Sequence, residues 1–100
     1  MATVYKYPVP LEGVFQLDLP KGARLLSFQA QRDEACLWAL VDPEALSETR
    51  SFRLAGTGHP IDMPAARLAF VGTAQFRGGS LVFHLFEITA IEAPSPSPAP

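Results

Sequence analysis

A chain of 100 residues with eight basic and ten acidic side chains, a net charge of −2 and 48% hydrophobic residues has room for one domain. It lacks the basic surplus by which proteins hold duplex nucleic acid. No apolar run approaches the ~20 residues of a membrane-spanning helix, and the single cysteine, Cys36, excludes an internal disulfide.

The start, Met1-Ala2-Thr3-Val4-Tyr5-Lys6, has neither the basic stretch nor the apolar core of a secretory signal, which predicts a soluble, cytoplasmic protein. Residues 3 to 7 alternate, with Thr3, Tyr5 and Tyr7 against Val4 and Lys6, and Pro8 and Pro10 follow. This reads as an edge strand. Residues 14 to 19 alternate again, with Phe15, Leu17 and Leu19 on one face, and Pro20-Lys21-Gly22 supplies a turn. From residue 23 to 31 a half-buried strand places Leu26, Phe28 and Ala30 on a common face. Arg32-Asp33-Glu34 is a charged turn.

Residues 35 to 41, Ala-Cys-Leu-Trp-Ala-Leu-Val, carry no polar side chain, so both faces call for cover. Their length and the Asp42-Pro43 stop favour a central strand over a short buried helix. Trp38 is therefore expected in the core and Trp38→Ala among the most damaging changes. Cys36 reads as a small core residue rather than a nucleophile.

Residues 43 to 49 form the one stretch suited to a helical turn, a loop being the alternative. Residues 50 to 54 alternate, with Phe52 and Leu54 inward and Ser51 and Arg53 outward, and lead into Gly56-Thr57-Gly58-His59-Pro60. A loop follows to residue 66. Residues 67 to 77 make the longest alternating stretch: Leu68, Phe70, Gly72, Ala74 and Phe76 on one face, Arg67, Ala69, Val71, Thr73, Gln75 and Arg77 on the other. Gly72 in mid-strand predicts a bulge or a close approach by another backbone. Gly78-Gly79 predicts a two-residue hairpin into a strand over residues 80 to 88, where Leu81, Phe83, Leu85 and Glu87 oppose Val82, His84, Phe86 and Ile88.

Beyond Thr89 the composition turns to Pro, Ser and Ala, which predicts a disordered tail over residues 91 to 100. About seven short strands with a turn signal every eight to twelve residues or so predict an all-β fold, a compact antiparallel sandwich or small barrel. Little or no helix is expected, and a single domain over residues 1 to 90.

Four blocks in order, Tyr5-Lys6-Tyr7-Pro8, Leu37-Trp38-Ala39-Leu40-Val41-Asp42, Gly56-Thr57-Gly58-His59-Pro60-Ile61 and Val82-Phe83-His84-Leu85-Phe86-Glu87, resemble a small family of phage and prophage proteins of unknown function. The resemblance implies a phage-linked origin and a one-domain β protein. It brings no activity and no catalytic residue.

The densest polar cluster is Gly56 to Pro60. It lacks the spacing and following helix of a dinucleotide fingerprint and the Gly-Lys-Ser/Thr ending of a phosphate-binding loop. Two readings remain. One is an anion-binding turn whose amides at Gly58, Thr57 hydroxyl and His59 imidazole converge; the other is a plain turn with His59 exposed or satisfied beside Pro60. Arg53, Arg67 and Arg77, with Arg50, could aim guanidinium forks at a phosphate or carboxylate, or could decorate a solvated strand face.

His59 and His84, without clustered carboxylate or thiolate partners, fall short of a metal site. No nucleophile and base stand in a recognisable order, so no cofactor, metal or catalytic residue is expected. Two functions stay open. The first is a non-catalytic, phage-linked, homo-oligomeric protein that captures an anionic small molecule, such as a nucleotide signal of host defence, through Arg53, Thr57, Gly58, His59, Arg67 and Arg77. The second is a structural or assembly protein of the virion whose apolar strands make subunit contacts.

Overall fold

Period-two alternation becomes seven strands in the computed structural model, which describes residues 1–90. They are β1 (Thr3–Pro8), β2 (Val14–Pro20), β3 (Arg24–Gln31), β4 (Glu34–Val41), β5 (Ser47–Gly56), β6 (Leu68–Phe76) and β7 (Leu81–Ile88). Every pairing is antiparallel, in a three-stranded sheet ordered β1-β4-β3 and a four-stranded sheet ordered β2-β5-β7-β6. This is the expected all-β architecture. The expected tail over residues 91–100 lies outside the described residues.

The core is built from the inward rows of both sheets. Phe28, Leu37, Ala39 and Val41 come from the first sheet, and Phe15, Leu19, Phe52, Leu54, Phe76 and Leu85 from the second. Leu19, Leu37, Phe52 and Leu85 are fully buried, and burial of each large side chain stabilises the fold by about 1.5–3 kcal/mol.

The β3–β4 turn has Arg32 and Asp33 both at positive φ, 52° and 64°, the pattern of a two-residue hairpin whose twist matches its strands. Residues 43 to 49 are not helical. The Ala45 N–H donates to the Asp42 carbonyl at 3.0 Å and the Glu44 N–H to Asp42 Oδ1 at 3.0 Å, so an Asx-type turn satisfies these amides. β5 begins directly after it, at Ser47.

Three further expectations are corrected by register. β4 is central in its sheet, but that sheet has the core on one side only. Trp38 stands on the outward row, opposite Lys6 of β1 and Ser27 of β3, and is half-buried. In β3 the register shifts between Leu25 and Ser27, so Leu26 is 46% exposed while Leu25 packs on the core with Phe28. In β6 it shifts between Phe70 and Gly72: Phe70 faces Phe86, Gly72 faces Leu85, and Phe70 is 63% exposed. The extra residue, Val71, breaks the common face expected along this strand, and with it the common face of Arg67 and Arg77.

The Gly72 signal has its cause here. A Cβ at this position would stand 3.1 Å from Phe28 Cβ and 3.3 Å from the Phe28 nitrogen. β3 and β6, edges of different sheets, therefore touch and close the sandwich along one side.

The β6–β7 connection is longer than a two-residue turn. Phe76 pairs with Leu81, and a 3-10 turn, Arg77–Gly79, with positive φ at Arg77, Gly78 and Gly79 fills the gap. Asp33 Oδ1 accepts the Arg77 N–H at 2.7 Å, which tethers this hairpin to the β3–β4 turn.

Candidate functional site

Register sets which loops share an end. Gly56 pairs with Phe83 and Phe76 with Leu81, so the turn after β5 and the β6–β7 hairpin lie at the same end of the four-stranded sheet. The turn is closed by the His59 N–H to the Gly56 carbonyl at 3.1 Å, and joined to β7 by the Thr57 N–H to the Val82 carbonyl at 3.3 Å. Gly58 takes φ +85°, the left-handed conformation that glycine adopts without a steric penalty.

Above the sheet this turn is pinned by a histidine. Thr57 Oγ1 lies 2.7 Å from His84 Nε2, and Thr73 Oγ1 lies 2.9 Å from His84 Nδ1. A neutral imidazole donates through one nitrogen and accepts through the other, and a hydroxyl serves either need. His84 is thus satisfied on both sides and ties the turn to β6 and β7. Alternation puts His84 on one row with Val82 and Phe86 and suggests a core or interface histidine; that Thr57 and Thr73, sixteen positions apart in the chain, flank its ring is set by strand pairing, which spacing does not show.

His59 is exposed, and its ring lies over Gly56, where a Cβ would be 3.0 Å from Nδ1. With Thr57, Ser80, Val82 and Phe83 it lines a cleft of about 230 Å³.

The arginines divide. Arg53 folds back on its own loop, Nη1 donating to the Leu54 carbonyl at 3.1 Å and Nη2 to the Pro60 carbonyl at 3.3 Å. Arg77 sits on the hairpin at the same end, and its guanidinium makes no hydrogen bond among the described residues. Arg67 is at the far end of β6, Nε donating to the Thr89 carbonyl at 3.0 Å, roughly 30 Å from Arg77 at strand spacing. Arg53, Thr57, Gly58 and His59 are therefore brought into one loop with Arg77 at its end of the sheet, and Arg67 is not.

Arg50 is engaged elsewhere. Its Nε and Nη2 bond Glu87 Oε2 and Oε1 at 2.7 and 2.8 Å, and Nη1 donates to the Ala23 carbonyl at 2.6 Å. The Glu87 hydrogen bond holds the Arg50 pKa above its ordinary value, against the opposing effect of burial. The signal for this pair was present in the alternation: Arg50 shares a row with Phe52 and Leu54, and Glu87 shares one with Leu81 and Leu85, so each is a charge on a core-facing row.

Among the described residues no three His, Cys, Asp or Glu side chains are grouped to hold a metal ion, and no helix is long and apolar enough to cross a membrane. Neither the curated proteins nor the solved structures give a match to the chain. A family described as a domain of unknown function, DUF7352, matches residues 1–94. That span contains both sheets, the Gly56 turn and the Arg50–Glu87 pair, and the chain belongs to this family.

Proposed function

We propose that the protein is a non-catalytic binding module that takes a small anionic molecule at the loop end of its four-stranded sheet. The observation that carries this reading is the cleft of about 230 Å³ in which the exposed His59 imidazole and the Thr57 and Ser80 residues stand over an apolar wall of Leu81, Val82 and Phe83. The Arg77 hairpin lies at the same end. An imidazole beside hydroxyl groups, with a guanidinium on the hairpin at the same end, suits a phosphate or carboxylate, and the apolar wall suits a ring, so a nucleotide meets both requirements. Capture without turnover needs no nucleophile or base. The resemblance to phage proteins supports a role inside a host cell, in holding a nucleotide signal of defence. Arg67 enters such a site only when a second copy supplies it, which ties its contribution to a homo-oligomer.

Thermal shift and calorimetry with inorganic phosphate and a nucleotide panel test the reading. Stabilisation by an anionic ligand that is lost in His59→Ala and weakened in Arg77→Ala supports it. A panel in which no anion stabilises the protein rejects it.

A second reading, an assembly protein, is favoured by a different observation. Apolar side chains stand outward on both sheets: Val4 at 50% and Leu26 at 46% exposure on one, Val14 at 52% and Phe70 at 63% on the other. Exposed apolar surface of this kind marks subunit contacts when it is contiguous. Sedimentation over a wide concentration range decides, since a monomer at every concentration rejects self-assembly.

A further inference from the structure

β3 and β6 run side by side at the rims of different sheets without pairing, and each carries its register shift at the meeting point, between Leu25 and Ser27 and between Phe70 and Gly72. Bulges are over-represented at sheet edges, as here, and beside functional sites, where they redirect side chains. Here they turn Leu26 and Phe70 outward and open a cleft of about 300 Å³ between the sheets. Its apolar lining is Leu25 and Val71 with Phe70, whose ring packs edge-on against Phe86 on the outward row, and its polar groups are Arg24, Arg50 and Glu87.

Arg24, Arg50 and Glu87 supply the charged lining of this cleft, and the Glu48 carboxylate also acts on Arg50. Glu87 and the Ala23 carbonyl occupy one N–H each on Nε, Nη1 and Nη2 of Arg50; a guanidinium has five, so two remain. Arg24 is exposed, and its guanidinium has no hydrogen-bond partner among the described residues. An ion pair on core-facing rows carries a desolvation cost that apolar residues of the same size would avoid. Closing the end of a sandwich does not require it. The pair does hold Arg50 rigid, with two N–H groups unused in a cleft that Arg24 also lines.

We propose that this seam is a second binding site, for a small monoanion with an apolar body, that is, an aliphatic or aromatic carboxylate. Its carboxylate bridges Arg24 and the unused N–H groups of Arg50, and its body lies on Leu25, Phe70 and Val71. Glu87 fixes the plane of Arg50 and disfavours more highly charged anions. The seam is separate from the loop end: along β5, Arg50 precedes Gly56 by six residues, roughly 20 Å of strand.

An amide NMR titration of the full chain with benzoate tests this, with benzylamine and benzyl alcohol as probes of matched shape. The expected result is saturable movement of the amides of residues 24–26 and 69–72 with benzoate alone. Arg24→Gln, at an exposed position and with the melting temperature of the parent, is expected to weaken it by about tenfold through loss of one charge-assisted hydrogen bond. Phe70→Ala is expected to weaken it as well. Equal perturbation by benzylamine, an affinity unchanged in Arg24→Gln, or no movement at the seam overturns the proposal. Benzoate shifts confined to residues 56–59 and 77–83 overturn it too, by assigning the anion to the loop end.

Discussion

Arg50 and Glu87 meet diagonally across β5 and β7 through two charge-assisted hydrogen bonds of 2.7 and 2.8 Å, on rows whose next members, Phe52 and Leu85, are fully buried. Their side chains keep 18% and 21% exposure, so the pair is at the mouth of the core rather than within it. Removing one partner leaves the other charge partly desolvated. Glu87→Gln is expected to cost about 1–3 kcal/mol in urea unfolding. The double change Arg50→Leu with Glu87→Leu is expected to cost less than the sum of the two single changes, because an apolar pair needs no desolvation. Equal and additive losses would show that the two side chains act independently.

Gly72 is the point where one sheet leans on the other. The space a Cβ would need is bounded by Phe28 backbone and Cβ at 3.1 to 3.4 Å, none of which is the free end of a side chain. Gly72→Val therefore forces β3 and β6 apart. A loss of about 1–3 kcal/mol is expected, with amide shifts spreading along β3. A neutral substitution would mean that the contact is not part of the stable fold.

Much of the architecture is legible in alternation because most strands have one wet face. Phe15, Leu17 and Leu19, or Phe52 and Leu54, point inward for the reason that period two requires. Alternation fails where the chain slips by one residue. Leu25 and Leu26 are both leucine, so nothing local says which of them is extruded by the β3 bulge. In β6 the glycine marked the neighbourhood, yet the extra residue is Val71, and its insertion reverses the facing of everything before it. The convergence of Arg67 with Arg77 depended on that uninterrupted count. Sheet order is a matter of long-range pairing, so the shared location of the Gly56 turn and the Arg77 hairpin could not be read from spacing.

Trp38 shows the same limit at β4. Seven apolar residues in a row suggest cover on both faces, but the inward row of Ala35, Leu37, Ala39 and Val41 is buried throughout, whereas on the outward row Cys36 is buried and Trp38 only half-buried. Leu37, with no exposed surface, is the better probe of the core. Leu37→Ala is expected to lose about 3–4 kcal/mol, and Trp38→Ala less than half of that. Denaturant midpoints with unchanged slopes measure both. A larger loss at Trp38 would mean that another surface covers the outward face in solution.

His84 holds the Gly56 turn through two hydroxyls, and the arrangement predicts an interaction rather than a simple sum. In the parent background Thr57→Val removes the partner of Nε2, 2.7 Å away, and leaves a polar nitrogen against a methyl group. A cost of about 1 kcal/mol is expected. In a His84→Ala background the same substitution has no imidazole to disappoint, and its cost should approach zero. The difference between the two is the coupling energy of the pair. Thr73→Val supplies an independent arm, because it removes the Nδ1 partner at 2.9 Å without touching the turn. If His84 positions the loop, both threonine variants speed amide exchange at Gly58 and His59, whereas a histidine that only fills surface would leave that exchange unchanged. Loss of the coupling with loop exchange unaltered would remove His84 from any role in shaping the cleft beside His59.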